Sequence, residues 1–265
     1  MKVLRLFNFM SVLKKRIVLF VAFLAFPLGL LAQQDIVDQK QRADSLYESF
    51  QEKQALELYR DILEEEPENY KALWRSSFLY SRIGNRFDDE DDQKEYFNRG
   101  IDLAERALEI DSTDTQSHFV MAVAMGRKAL ISGARERVAA SRAIKKHADK
   151  ALEYDEGHAG AWHVLGRWHF KVANLSWVER AAANTLFGGI PGDASNQKAA
   201  DAIQKAIDLN GTNILYYYDL AKVYEEMGQA QQAISVCKNA VELESKTPDD
   251  PGLKEQCRKL IYDLQ

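Results

Sequence analysis

Five histidines, His118, His147, His158, His163 and His169, are the side chains in this sequence best suited to metal binding or proton transfer. His158 and His163 stand five residues apart, off the i,i+4 spacing that lets two imidazoles on one helix share a metal ion, and no His-Glu-x-x-His occurs. His163 and Arg167 are at i,i+4 and share a face; such a pair suits an anion or peptide surface better than general-base chemistry, and a plain solvent-facing pair is the simpler alternative. There is no Gly-x-Ser-x-Gly elbow, no phosphate-cradling glycine loop and no Cys–His nucleophile pair. Gly188-Gly189-Ile190-Pro191-Gly192 follows a helix pattern and so reads as a stop and turn. Asp88, Glu90 and Asp92 alternate as calcium ligands do, but the central Gly and closing Glu of an EF-hand are missing, which leaves a solvated acidic loop over 85–95. The expectation is a protein that is not an enzyme and uses no cofactor and no metal.

The elements that would position these side chains are helical. The 265 residues include only 14 Gly and 5 Pro, too few turn-formers for an all-β sandwich or a Rossmann-type domain, and 46% hydrophobic content excludes low-complexity disorder. Two cysteines make neither a disulfide framework nor a Cys-rich zinc site. Residues 1–32 carry Lys2, Arg5, Lys14, Lys15 and Arg16 and no acid, then the apolar run 17–31 interrupted by Pro27 and Gly29, then Ala32. That is the order of a secretory signal peptide, which engages the export machinery; an uncleaved membrane anchor formed by 17–31 is the alternative. Without it the net charge of -5 becomes -10, with 30 basic and 40 acidic residues left. So acidic a chain is a poor non-specific nucleic-acid binder. The expected location is the periplasm or cell envelope.

From residue 36 to 265 the periodicity is helical and the punctuation recurs. Five amphipathic stretches, 54–63, 101–111, 148–155, 202–210 and 233–243, each end on a polar or Pro-containing turn, and partner helices precede them at 73–84, 116–129, 161–173 and 215–228. The tetratricopeptide pattern W-x2-L-G-x2-Y, then A-x3-F, A and P, is met by Trp162, Leu165 and Gly166, by Tyr217, Leu220, Ala221, Tyr224, Gly228, Ala233 and Ala240, and by Ala55, Tyr59, Ile62 and Pro67. The predicted fold is an all-α solenoid of about five tetratricopeptide-like helix hairpins with a C-terminal capping helix, 253–264. Residues 174–196 interrupt the period with a helix of their own, opened by a Ser176/Glu179 capping box, stopped at Gly188 and expected to pack back on the stack.

Ile144 to Leu152, Leu165-Gly166-Arg167-Trp168, Trp177-Val178-Glu179-Arg180 and Leu186-Phe187-Gly188 before Pro191 together resemble the regulator of microtubule dynamics family over about residues 95–260. The resemblance implies the repeat fold with its extra helix. For function it implies association with microtubules or organelles, in a eukaryotic cell with the N-terminal segment as a membrane anchor.

The first helix of each tetratricopeptide hairpin lines a concave groove. In this frame the groove carries Lys71, Trp74, Phe78 and Arg82; Gln116, Phe119, Val123 and Arg127; His163, Arg167, Phe170 and Lys171; and Leu215, Tyr218 and Lys222. Six cations among aromatics predict a binding scaffold for an unidentified protein or peptide with acidic residues and an apolar anchor. The alternative leaves Trp74, Phe78 and Phe119 as interhelical core and the cations as ordinary surface. The two-carboxylate clamp of chaperone-binding tetratricopeptide domains needs an Asn at the groove, and none falls in these positions. Cys237 and Cys257 fall on adjacent antiparallel helices, either as a disulfide in an oxidising compartment or as buried thiols.

Overall fold

The structure, a computed structural model, describes residues 36–187 and 194–265, and these form twelve α-helices. They are α1 (36–48), α2 (Glu52–Glu65), α3 (Tyr70–Gly84), α4 (Glu90–Ile110), α5 (Thr115–Leu130), α6 (Ala134–Tyr154), α7 (Ala159–Ala173), α8 (Trp177–Phe187), α9 (Asn196–Leu209), α10 (Ile214–Glu226), α11 (Ala230–Glu242) and α12 (Asp250–Asp263). Five hairpins, α1/α2, α3/α4, α5/α6, α7/α9 and α10/α11, stack in chain order, with α8 inserted in the fourth and α12 closing the last. The solenoid, the inserted helix and the capping helix are as the sequence predicts.

The same local chemistry repeats at each entry to an inner helix. Asn69, Asp114 and Asn213 accept from the backbone N–H of Ala72, Gln116 and Leu215 at the starts of α3, α5 and α10. His158 does the same for α7, its Nδ1 accepting from Ala161 at 3.0 Å. That histidine is a helix cap. Small residues let neighbouring helices close: Ala55, Ala104, Ala148, Ala199 and Ala233 are fully buried. Gly166 is the tightest approach, since a Cβ there would lie 2.5 Å from Ile203 Cγ1 and 3.0 Å from the Ala199 carbonyl on α9. Gly228 ends its turn at φ +71°, where only glycine is free of strain.

One expectation is corrected. The acidic segment 85–95 is a loop only as far as Asp89; α4 starts at Glu90. Asp89 caps it by accepting from the N–H groups of Asp91 and Asp92 at 2.9 and 3.0 Å. Glu90, Asp91 and Asp92 then occupy its first turn, where the helix dipole favours negative charge. An acidic run at a helix start stabilises the helix.

The inserted helix α8 begins as a capping box. Ser176 N–H and Oγ–H both donate to Glu179 Oε2, at 2.8 and 2.7 Å, and the Glu179 N–H returns to Ser176 Oγ at 3.3 Å. Glu179 also pairs with Arg137 of α6 at 2.8 Å, so the insert packs on the stack. Arg180 donates to the carbonyls of Leu175 and Ala173, and Asn174 and Asn196 join the two ends of the insert at 2.6 Å. Gly188, the expected stop, lies outside the described residues. Glu179→Ala is expected to cost about 1 kcal/mol locally. It should speed amide exchange across 177–187 and leave α9–α12 unchanged; unchanged exchange in α8 would refute this role.

Cys237 and Cys257 are fully buried free thiols in the core shared by α10, α11 and α12.

Candidate functional site

The inner helices α3, α5, α7 and α10 run side by side in the same sense, so equivalent positions form layers along one inner wall. Near their N-terminal ends the wall is aromatic. A cavity of about 400 Å³ opens there among Tyr47, Trp74, Phe78, Phe119, His158 and Tyr216, with Gln116 at its edge. Phe78 and Phe119 are in ring contact, with centroids 5.5 Å apart, and Trp74 meets Tyr47 edge-on at 6.3 Å. Trp74, Phe78 and Phe119 are half-buried: one side packs on the core of Ala104, Val120 and Met121, the other lines the cavity. Beneath them Arg75 lies 4.0 Å over the Tyr47 ring, a cation–π contact.

Towards the C-terminal ends the wall turns basic: Arg82, Arg127 and Lys171 occupy the last turns of α3, α5 and α7, where the helix dipole favours cations. Four of the six cations foreseen in the groove are neutralised by this chain's own carboxylates. Lys71 pairs with Asp44 and Lys222 with Glu225. Arg82 reaches Glu52 at 2.8 Å and Asp249 at 3.3 Å, and Arg167 reaches Asp219 at 3.1 Å. The two others make no direct ion pair with a carboxylate among the described residues, although Asp219 lies within electrostatic reach of both. Arg127 donates to the neutral Asn85 Oδ1 at 2.6 Å, and Lys171 makes no ion pair. Desolvation, with Arg167 and Arg82 close by, pushes the Arg127 guanidinium down to about 10. Desolvation and Arg167 also lower the Lys171 amine. The six cations expected among the groove's aromatics are thus largely balanced, with the positive charges outside direct ion pairs at Arg127 and Lys171.

Two residues central to this wall escape the sequence reading. Asp219 accepts from His163 Nε2 at 2.7 Å and from Arg167, with its side chain 17% exposed. Burial raises a carboxyl, but Arg167, His163 and Arg127 outweigh it and hold Asp219 at about 2. Burial and the adjacent Arg167 and Arg127 lower His163, so a neutral imidazole donates to the Asp219 carboxylate, and its ring rests on Tyr216 at 4.5 Å. Tyr216 lines the cavity, whereas Tyr218, the expected groove residue, packs towards the α11/α12 core. The signal was present in the i,i+4 pair His163/Arg167, two donors on one face that need an acceptor, and in Asp219, the one acid among the apolar and aromatic residues that open α10.

His118 and His147 meet on the other side of α5, Nδ1 to Nδ1 at 2.9 Å, with His118 Nε2 donating to the Ser112 carbonyl at 3.0 Å. His118 therefore accepts at Nδ1, and both rings are neutral. Burial, the neighbouring His118 and Lys146 push His147 down to about 4, and burial also lowers His118. Unfolded histidines take up protons near pH 6.5 and this folded pair does not. Stability present above about pH 6.5 is therefore lost as the pH falls towards 4, by about 2 kcal/mol once partial exposure is allowed for. Urea midpoints at pH 7.5 and 4.5 measure the loss, and His147→Leu should flatten it. An identical pH slope in that variant would contradict the assignment.

Among the described residues no cluster of three or more His, Cys, Asp or Glu side chains could hold a metal ion, and no helix is long and apolar enough to cross a membrane.

Comparison with known proteins agrees with this architecture. Residues 39–265 match the family described as Regulator of microtubule dynamics protein 1-3. Regulator of microtubule dynamics protein 2 of Bos taurus is 29% identical over 85% of this chain and 55% of its own length. Regulator of microtubule dynamics protein 3 of Rattus norvegicus is 31% identical over 71% of this chain and 40% of its own. This chain thus spans about half the length of the curated relatives it matches. Among solved structures, a thermophilic tetratricopeptide repeat protein from Thermus thermophilus superposes with a TM-score of 0.61 at 16% identity, covering 86% of this chain and 99% of that one. A tetratricopeptide repeat protein from Parabacteroides merdae gives a TM-score of 0.54 at 13% identity, covering 84% and 71%. Both likenesses concern the fold.

Proposed function

The chain belongs to the regulator of microtubule dynamics family, and from that membership and its inner wall we propose that it is a non-enzymatic tetratricopeptide scaffold that holds an acidic segment of another protein. The observation that carries the reading is the two-zone wall. An aromatic cavity suits an apolar anchor, and Arg127 and Lys171, which make no direct ion pair among the described residues, suit a partner's carboxylate. Desolvated cations crowded together cost stability in the free protein, and an incoming anion relieves that cost.

Selection from a random peptide library tests it. The wild type should enrich peptides with carboxylates near an aromatic or aliphatic anchor. Arg127→Gln with Lys171→Glu should lose that enrichment, while Lys205→Glu on the exposed face of α9 should keep it. Enrichment that is blind to acidic residues, or retained by the inner-wall variant, would refute the reading.

The family membership favours a second reading in which the acidic partner is a microtubule. A microtubule, itself an acidic polymer, would be met by Arg127 and Lys171 at the C-terminal ends of α5 and α7. Co-sedimentation that falls in the same inner-wall variant would support it, and absence of wild-type co-sedimentation would end it. The N-terminal order of charges followed by an apolar run, outside the described residues, supports export to the cell envelope. Mass analysis of the mature N-terminus tests that: cleavage after Ala32 agrees with export, and retention of residues 1–32 agrees with an anchor.

A further inference from the structure

The two ends of the solenoid touch through four side chains. Arg82 at the end of α3 and Arg86 in the following loop both reach Asp249, which precedes α12, across more than 160 residues of sequence. Arg86 makes a two-point fork on it, Nε to Oδ1 and Nη2 to Oδ2, each at 2.7 Å, and Arg82 adds a bond at 3.3 Å. Glu52, at the start of α2 with its side chain 4% exposed, backs both arginines, 2.8 Å from Arg82 and 2.5 Å from Arg86. Helices α2, α3 and α4 do not pack against α11 or α12, and the link between them runs through these side chains.

Asp249 is positioned for this contact at the expense of its local role. It occupies the N-cap of α12 yet makes no capping hydrogen bond there. The neighbouring Asp250, buried, accepts from the N–H groups of Lys246 and Thr247 at 2.8 and 2.7 Å and stiffens the turn that presents Asp249. Arg86 is the first influence holding the Asp249 carboxyl down against its burial. Asp249 and Arg82 both lie within electrostatic reach of Arg127, which places the junction at the basic end of the inner wall.

We propose that Glu52, Arg82, Arg86 and Asp249 form a releasable ionic clasp that closes the solenoid into a ring, and that a carboxylate of the partner segment takes the place of Asp249 on the arginine fork. Release leaves two guanidiniums facing one carboxylate, a net positive site with a geometry made for a carboxylate. A contact of this ionic kind can be released by competition or by salt. The closing half of the proposal stands on geometry alone; the exchange half rests on the reading that the groove takes an acidic partner.

The test uses the full chain with spin labels at Glu57→Cys on α2 and Gln256→Cys on α12, both exposed sites, the two native thiols being fully buried. The wild type should give one short, narrow distance distribution at low salt. Asp249→Ala should give a longer and broader one, Arg86→Gln should reproduce that shift from the other side, and about 1 M NaCl should open the wild type only. A distribution unchanged in both variants would overturn the clasp. In a second arm, a labelled oligo-glutamate peptide should bind Asp249→Ala about tenfold more tightly than wild type, because the closed state no longer competes. Equal affinity would overturn the exchange half. If no variant binds the peptide while the distances still lengthen, the clasp stands and the acidic-partner reading fails.

Discussion

Asp219→Ala is expected to lower the unfolding free energy by about 3 kcal/mol, because it strands the donors His163 and Arg167 without an acceptor in a partly buried wall that already holds Arg127. Equilibrium urea denaturation measures it. The sign with pH follows from the lowered pKa. Asp219 contributes stability that is fully present above the unfolded carboxyl value near 3.9 and is lost as the pH falls through about 2. The coupling is the sharper measurement. Removing Arg167 as well takes away the stranded charge, so Arg167→Ala together with Asp219→Ala should cost clearly less than the sum of the single changes. Strict additivity would mean that the Asp219 carboxylate does not organise this wall. Asp219→Asn retains an acceptor for His163 while freeing Arg167 from its counter-charge. It should be milder in stability and should bind acidic peptides more tightly than wild type.

Gly166→Ala should be nearly as damaging, for a steric reason. The new methyl would meet Ile203 Cγ1 at 2.5 Å and the α9 backbone at 3.0 and 3.1 Å, and backbone cannot rotate away. Ile203 is fully buried, so relief requires α7 and α9 to separate. Overpacking of this kind costs about 3 kcal/mol, or about 6–12 °C in Tm for a chain of this size. Ile203→Ala opens a cavity when made alone but removes the clashing atom. The double change should therefore be less destabilising than the two single costs added together. Simple addition would mean that the helices do not pack at this position as described.

The fold was legible because its signals are local and repeated. Trp162, Leu165 and Gly166 mark one hairpin and Tyr217, Leu220 and Ala221 the next, and the Ser176/Glu179 box announces α8 before any tertiary contact is known. The family-like residues are explained mostly by packing. Leu165 and Trp168 are core, with the Trp168 indole donating to the Ser141 carbonyl at 2.7 Å, Gly166 admits α9, and Glu179 and Arg180 pin the insert. The site was half legible. The repeat frame placed Trp74, Phe78, Arg82, Phe119 and Arg127 on the inner wall. It could not reveal which cations meet a carboxylate, since Asp44, Asp219 and Asp249 come from other helices and loops. The Asp88–Asp92 run was misread because acidic residues suit both a solvated loop and the first turn of a helix. Asp89 as cap decides that.

Hydrogen–deuterium exchange of the full chain with and without a library-selected acidic peptide tests the central claim most directly, that the inner wall is the partner-binding face. Protection is predicted along α3, α5, α7 and α10, strongest where Trp74, Phe119 and Arg127 lie, with α4, α6 and α9 unchanged. Protection confined to the outer helices or to α8 would contradict it.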